Sequence, residues 1–288
     1  MNTERAAAIV MGARSAQELF AGGSAARVYR RLARALHPDL APGGEEAFKR
    51  LVALWESYHR GQRVGDFLVG PPLHKGGTAV LYPAGRGTEA ASSRDSLLKV
   101  ARDPAADRLL VREAAALRKI AADGDPRFLP YVPRLVASFR YRGGDVVRQA
   151  NVISRAPAGF VTLERAGTGL DPRDVAWIWR RLLVAAGLAH RAGVAHGAVL
   201  PRHVLVHPLD HGLVLVDWCH GDRLDERADI AALTRCVDRL MGECPRRMRA
   251  FVRGCLLRPP SDAWELLREL DDLLDDLYGP RTYRPLHL

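Results

Sequence analysis

Three charged residues of this chain have the types and positions that phosphate chemistry requires. Lys99 ends the apolar run 96–100 and is one of four lysines among 43 basic residues. Glu113 follows in a segment with helical spacing, and Asp217 comes directly after the apolar run 213–216. A lysine paired with a glutamate is held towards phosphate, and a carboxylate at a strand end suits Mg²⁺. The alternative is that Lys99 is an exposed strand end and Glu113 a surface helix residue.

The segment 196–206 has the outline of a phosphotransferase catalytic loop. It resembles the H-R-D-L-x-x-x-N loop of protein kinases, in which Asp is the base and Asn binds metal. Ala198 stands in the position of the Asp and His203 in that of the Asn. Because a methyl group accepts no proton, the resemblance implies that no catalytic residue remains for ordinary phosphoryl transfer. The alternative for His203 is a loop histidine held by hydrogen bonds.

The segment 73–82 resembles the glycine-rich loop that covers the phosphates in kinases. Of the three glycines in that pattern it retains the middle one, Gly76, which Gly77 follows. Side chains at the other two positions crowd the close backbone approach that glycine permits. A plain β-turn is the alternative for this segment.

Asp217 opens a tripeptide, Asp217-Trp218-Cys219, that resembles the D-F-G of kinases. The resemblance implies ATP and Mg²⁺ as cofactors and Asp217 as the metal ligand. It implies a nucleotide site formed by Lys99, Glu113, Gly76, Gly77 and Asp217. His203 argues against a second Mg²⁺, because imidazole is a softer ligand than the amide oxygen of Asn.

The interval 218–228 is too short to contain a kinase activation segment. The platform on which kinases hold a peptide substrate is therefore missing, independently of Ala198. Asp229 looks like the Asp that anchors the catalytic loop backbone in kinases, and His196 looks like the histidine that packs on the aromatic of D-F-G. The resemblance is thus to a pseudokinase.

A helical pattern precedes these elements. One predicted helix has apolar residues on one side and Arg27, Arg30, Arg31 and Arg34 on the other. A second begins near Glu45 and presents Phe48, Leu51, Trp55 and Tyr58 on one face. His37-Pro38-Asp39 lies between them. This order resembles a J-domain over about residues 15–60, with Glu18-Leu19-Phe20 as a short first helix and no clear pattern before it.

J-domains are the modules by which DnaJ-type co-chaperones engage Hsp70. The resemblance implies an Hsp70-type chaperone or another protein as the partner. It implies contacts through His37, Pro38, Asp39, Arg27, Arg30 and Arg34. The alternative is that Pro38 merely ends the helix and Asp39 caps the turn.

The remaining pattern predicts short strands followed by helices. Strands are predicted at 67–69, 79–82, 96–100, 135–139 and 151–153, and helices at 107–121, 173–191, 228–241, 246–257 and 262–277. The glycines at 143 and 144 predict a hairpin turn. A β-rich lobe followed by a helical lobe is the bilobal layout of protein kinases. We therefore predict an α+β fold with a J-domain-like helical module at 1–62, a kinase-like N-lobe at 63–160 and a kinase-like C-lobe at 161–288.

Composition limits the partners and the location. The net charge of +10 comes from scattered arginines without an aromatic platform, which argues against nucleic acid as a partner. The longest apolar runs, such as 182–188, are shorter than the ~20 residues of a membrane span. With no signal segment at the start of the chain, we expect no membrane association and a cytoplasmic location. The four cysteines form no C-x-x-C pair, which is typical of reduced structural thiols.

Three functions follow as hypotheses. The first is a catalytically impaired pseudokinase that acts as a nucleotide-responsive or purely scaffolding regulator or co-chaperone. The second is a residual ATP-dependent transferase that uses Lys99 and Asp217, with His203 or Asp222 as the acid or base. The third is a J-domain co-chaperone whose C-terminal part binds a client or sets its location.

Overall fold

The computed structural model describes residues 1–20, 24–41, 43–60, 62–86, 95–143 and 146–286. The chain divides into two compact units. The first comprises residues 1–76 and 80–98, and the second comprises residues 77–79 and 99–288. Within the described residues, no helix combines the length and the apolar character that crossing a membrane requires.

Helices open the first unit: α1 (Thr3–Gly12), α2 (Ala16–Phe20), α3 (Ala25–Leu36) and α4 (Glu45–Arg60). The local sequence explains where they begin. The side chain of Asn2 accepts a hydrogen bond from the backbone N–H of Arg5 and so caps α1. Glu45 and Glu46 lie in the first turn of α4, where the helix dipole favours negative charge.

These helices share an apolar core. Its buried members include Ala6, Val10, Phe20, Leu32, Leu36, Leu51 and Tyr58. The rings of Phe20 and Trp55 meet edge to face with their centroids 5.2 Å apart. Helix α1 occupies the segment before residue 18, in which the sequence shows no clear pattern. Its stripe is only Ala6 and Val10, one turn apart, and such small side chains give a weak pattern until their packing partners are known.

Antiparallel strands complete the first unit: β1 (Gln62–Val64), β2 (Phe67–Val69), β3 (His74–Lys75), β4 (Ala79–Arg86) and the start of β5 (Ser96–Ala101). Their order is β1-β2-β4-β5, and β3 also pairs with β4. His74 lies opposite Leu81 and Lys75 opposite Val80, so the glycine-rich segment links two paired strands.

The second unit contains the end of β5 and most of the helices. Its elements are α5 (Asp107–Asp123), β6 (Leu135–Gly143), β7 (Val146–Ser154), β8 (Val161–Thr162), α6 (Pro172–Arg191), β9 (Val204–His207), β10 (Gly212–Leu215), α7 (Glu226–Leu240), α8 (Arg246–Leu257) and α9 (Ala263–Tyr278). Its strands pair in the order β5-β7-β6, which continues the sheet that contains β5, and β10-β9-β8 form a separate three-stranded sheet. Gly143 pairs with Val146 across the predicted hairpin, and Gly144 lies outside the described residues.

Helix α6 organises the helical part of this unit. It is buried along most of its length and packs against α7 and α9. Asp171, Asp225 and Asp262 cap the N-termini of α6, α7 and α9 by accepting backbone N–H groups. The ends of α6 to α9 lie within two residues of the predicted ones. The predicted helical segments are therefore confirmed.

Candidate functional site

Lys99 lies at the centre of a buried ion cluster in the second unit. Its Nζ atom donates to Oε1 of Glu113 at 2.7 Å and pairs with Oδ1 of Asp217. Lys99 is 6% exposed and Glu113 is 1% exposed. The alternative that these are surface residues is therefore wrong. The structure brings together the three residues that the sequence singled out for phosphate chemistry.

Lys99 and Asp217 stabilise each other's charged form. Burial lowers the pKa of the Lys99 ammonium, but Glu113 and Asp217 raise it more, so that it lies above its usual value. Burial raises the pKa of the Asp217 carboxyl, but the charge and hydrogen bond of Lys99 lower it more, so that it lies below its usual range. Lys99 and Asp217 are therefore both charged at neutral pH.

A chain of buried hydrogen bonds fixes Glu113 on the inner face of α5. Asn151 of β7 donates its amide to Oε2 of Glu113 at 3.0 Å and to the backbone carbonyl of Leu110 at 2.8 Å. The hydroxyl of Ser138 in β6 donates to Oδ1 of Asn151 at 2.9 Å. Asn151 is fully buried between Ala150 and Val152. Sequence reasoning missed it, and its signal was a polar residue between the apolar Ala150 and Val152.

Asp217 is surrounded by nitrogen and sulfur atoms as well as by Lys99. Its Oδ2 atom lies 3.1 Å from Nε2 of His203 and 3.5 Å from Nε2 of His220. The thiol of Cys219 donates to Oδ1 at 3.3 Å, and burial raises the pKa of this thiol to about 12. Asp217 has a backbone φ of 73°, which is uncommon for a residue other than glycine and is typical of functional sites.

Asp229 holds the backbone of the loop that begins at His196. Its Oδ2 accepts the backbone N–H of His196 at 2.6 Å, and its Oδ1 accepts that of Gly197 at 2.8 Å. Nε2 of His190 lies 3.1 Å from Oδ2. The ring of His196 packs edge to face on Trp218, with centroids 4.7 Å apart. The scaffolding positions expected for Asp229 and His196 are therefore present.

Gly197 is required where it lies. Its φ is 77°, and a Cβ atom there would approach the backbone of His220 and Gly221 to 2.7 Å. A larger residue, such as the Arg of H-R-D-L, does not fit this backbone.

His203 bridges the loop to Asp217. Its Nδ1 lies 2.8 Å from the carbonyl oxygen of Ala198, and because a carbonyl only accepts, Nδ1 carries the hydrogen. Nε2 therefore faces the Asp217 carboxylate. Burial lowers the pKa of His203, which favours the neutral ring. The hydrogen bond expected for a loop histidine is therefore present, in the contact with Ala198. The contact of Nε2 with Asp217 was not expected from the sequence.

Gly76 and Gly77 lie in the turn between β3 and β4. Gly76 belongs to the first unit and Gly77 to the second. A Cβ atom at Gly77 would meet nothing within 4 Å. The packing of the turn therefore does not itself require glycine at position 77.

The His37-Pro38-Asp39 loop joins α3 to α4 in the first unit. The carbonyl of His37 accepts the backbone N–H groups of Leu40 and Ala41, both at 2.9 Å. The backbone N–H of Asp39 donates to Nδ1 of His37 at 3.3 Å. The side chains of His37 and Asp39 are exposed, as are those of the predicted basic face, Arg27, Arg30, Arg31 and Arg34.

The structure is similar to the kinase domain of Mycobacterium tuberculosis PknI, solved as a cysteine-to-alanine mutant. The TM-score is 0.57 at 17% sequence identity, over 76% of this chain and 98% of that domain. No family model matches the sequence, and no curated protein matches it. The chain has a protein-kinase-like fold. At this identity the likeness establishes the fold alone, so the predicted kinase-like α+β fold is confirmed, and the J-domain resemblance stays a prediction.

Proposed function

We propose that the second unit binds ATP without transferring its phosphate, and that the chain acts as a regulator or co-chaperone. The observation that carries this proposal is the buried ion pair of Lys99 and Glu113, which extends to Asp217. A buried ammonium is a strong partner for a phosphate oxygen, and Glu113 keeps it in place. Ala198 offers no proton acceptor to an incoming hydroxyl. Such a cleft holds a nucleotide and does not turn it over.

The metal sites of kinases fit this chain only in part. Asp217 supplies one carboxylate of the kind that binds Mg²⁺. The second position of the kinase pattern is His203, whose Nδ1 is engaged with the Ala198 carbonyl. Mg²⁺ takes oxygen ligands in a near-octahedral arrangement, which an imidazole does not supply. We therefore assign no second Mg²⁺ to this chain.

Calorimetric titration with ATP, with and without Mg²⁺, tests the nucleotide proposal. We expect saturable binding by the wild type and loss of binding by Lys99→Met/Glu113→Gln, which removes the cation together with the charge that it neutralises. Lys119→Met is the matched control, because Lys119 is an exposed lysine of α5. Equal affinity in all three proteins would contradict the role of Lys99.

Incubation of the wild type with radiolabelled ATP and candidate acceptor proteins separates this proposal from a residual transferase. We expect no ADP or AMP release above the buffer rate and no label in protein. Label that is incorporated by the wild type and lost in Asp217→Ala would contradict the absence of turnover. It would favour the transferase.

We further propose that residues 1–62 dock a protein partner of the Hsp70 type. In support, α3 presents exposed Arg27, Arg30 and Arg34 on one side and buries Leu32 and Leu36 on the other. The exposed His37-Pro38-Asp39 loop follows this helix directly. A rigid basic helix beside an exposed loop is suited to an acidic protein surface. The shared apolar core of α1 to α4 holds the two in fixed positions.

Stimulation of Hsp70 ATPase activity tests the docking proposal. We expect the full chain to raise the steady-state ATPase rate of an Hsp70, and His37→Gln to abolish the rise. His74→Gln is the matched control, since His74 is an exposed histidine outside this module. A stimulation that survives His37→Gln, or no stimulation at all, would contradict an Hsp70-type contact.

A further inference from the structure

Metal-binding atoms converge on the carboxylate of Asp217. One ligand atom each from Asp217, Cys219 and His220 lies within 4.8 Å of the other two. His203 joins them from the opposite loop, with its Nε2 at 3.1 Å from Oδ2 of Asp217. The rings of His203 and His220 lie nearly parallel, with centroids 6.2 Å apart. The cluster combines two imidazoles, one thiol and one carboxylate.

The distances suit a single small cation. Ligand atoms that bind one tetrahedral Zn²⁺ at about 2.0–2.3 Å lie roughly 3.3–3.8 Å apart. Oδ2 of Asp217 lies 3.1 Å from Nε2 of His203 and 3.5 Å from Nε2 of His220, and Oδ1 lies 3.3 Å from the sulfur of Cys219. The ligand atoms of Asp217, Cys219 and His220 already lie within 4.8 Å of one another, and His203 approaches the same carboxylate from the other loop. His220 is partly exposed, which gives the ion a path from solvent.

Neighbouring groups orient the side chains of His203 and Asp217 towards each other. Nδ1–H of His203 donates to the Ala198 carbonyl, and a metal-binding histidine usually makes this kind of contact with its other ring nitrogen. The other ring nitrogen, Nε2, faces Oδ2 of the Asp217 carboxylate at 3.1 Å. Lys99 pairs with Oδ1, so Oδ2 is the oxygen that faces the imidazoles.

We propose that Asp217, Cys219 and His220, completed by His203, bind one Zn²⁺ ion. Imidazole and thiolate select Zn²⁺ over Mg²⁺ because they are softer ligands than oxygen. Zn²⁺ binds cysteine as the thiolate, so binding displaces the proton of Cys219 to the buffer. The site shares Asp217 with the proposed nucleotide cleft but requires no nucleotide. Two of its four ligands, His203 and Cys219, lie at positions where this chain departs from the kinase pattern.

Titration of the metal-free full chain with Zn²⁺, in the absence of nucleotide, tests the site. We expect about one Zn²⁺ to bind per chain, and millimolar Mg²⁺ not to displace it. Binding is expected to release a proton, so the calorimetric enthalpy should depend on the buffer. Co²⁺ in place of Zn²⁺ is expected to give a thiolate-to-metal charge-transfer band that Cys219→Ser removes. His220→Ala and His203→Asn are each expected to weaken Zn²⁺ binding more than about tenfold.

His74→Ala is the matched control and is expected to bind Zn²⁺ as the wild type does. Circular dichroism of each variant checks that it is folded, and His220→Ala is the safer variant because that side chain is partly exposed. Unchanged Zn²⁺ affinity in folded His220→Ala, or no stoichiometric Zn²⁺ in the wild type, would overturn the site. Either result leaves ATP binding to be judged by its own titration. Conversely, absent ATP binding leaves the Zn²⁺ result intact.

Discussion

Replacement of Asp229 by alanine is expected to lower the free energy of unfolding by about 3–5 kcal/mol. The carboxylate is buried and accepts the backbone N–H groups of His196 and Gly197, and it also contacts the His190 ring. Without it, the backbone N–H groups of His196 and Gly197 both lose their acceptor, and the buried one of His196 alone costs about 1–3 kcal/mol. Urea unfolding monitored by tryptophan fluorescence measures the change.

Two further variants show whether the hydrogen bonds are responsible for this loss. Asp229→Asn keeps one acceptor oxygen and is expected to cost less than Asp229→Ala. Asp238→Ala removes a carboxylate of the same helix that is 38% exposed in its ion pair with Arg249, and it is expected to cost no more than about 1 kcal/mol. A loss in Asp229→Ala as small as that in Asp238→Ala would contradict the anchoring role.

The pH dependence of stability gives an independent check on Asp229. Burial raises the pKa of its carboxyl, but the hydrogen bonds from His190, His196 and Gly197 lower it more, so that it lies below its usual value. Its stabilising effect is therefore present above the ordinary carboxyl pKa and is lost as the pH falls through the folded-state pKa. Asp229→Ala is expected to lose less stability than the wild type between pH 5 and the acid unfolding transition.

Most of the fold could be predicted because apolar periodicity is strong in the elements that form its core. Helices α6 to α9 carry large apolar residues at helical spacing, and three of them begin at a capping aspartate, so both their type and their ends were readable. Helix α1 was not, since its buried face consists of Ala6 and Val10 while the larger Ile9 and Met11 are exposed. What decides that segment is packing against α3 and α4, which no local pattern records.

The charged residues of the candidate site could be predicted because their types and positions in the sequence indicate phosphate chemistry. A lysine at the end of an apolar strand, in a chain with four lysines, pointed to Glu113 and Asp217. The contacts that support them were not predictable in this way. Asn151 of β7 donates a hydrogen bond to Glu113 of α5. His203 contacts the Ala198 carbonyl through Nδ1 and the Asp217 carboxylate through Nε2. Such roles depend on three-dimensional approach between residues that are distant in sequence.

Replacement of Lys99 by methionine is expected to destabilise the protein by about 3–5 kcal/mol at pH 7.5. Methionine fills a similar volume, so the effect arises from charge and not from a cavity. The two carboxylates of Glu113 and Asp217 then lie in the interior without the ammonium that compensated them. Urea unfolding at pH 7.5 measures the loss. Lys119→Met, which changes an exposed lysine, is expected to stay within about 0.5 kcal/mol of the wild type.

The pH and a second substitution show whether uncompensated charge causes this loss. Without Lys99, burial raises the pKa of the Asp217 carboxyl, so this group takes up a proton more readily and the buried charge is removed. The loss of unfolding free energy in Lys99→Met is therefore expected to shrink as the pH falls from 8 to 5. Lys99→Met/Glu113→Gln removes the more deeply buried carboxylate charge and is expected to recover more than half of the lost stability. It still lacks the cation that the nucleotide needs. If the double variant regains stability but not ATP binding, the structural role of the ion cluster is separate from its role in binding. A loss of stability in Lys99→Met that does not change with pH would contradict the charge explanation.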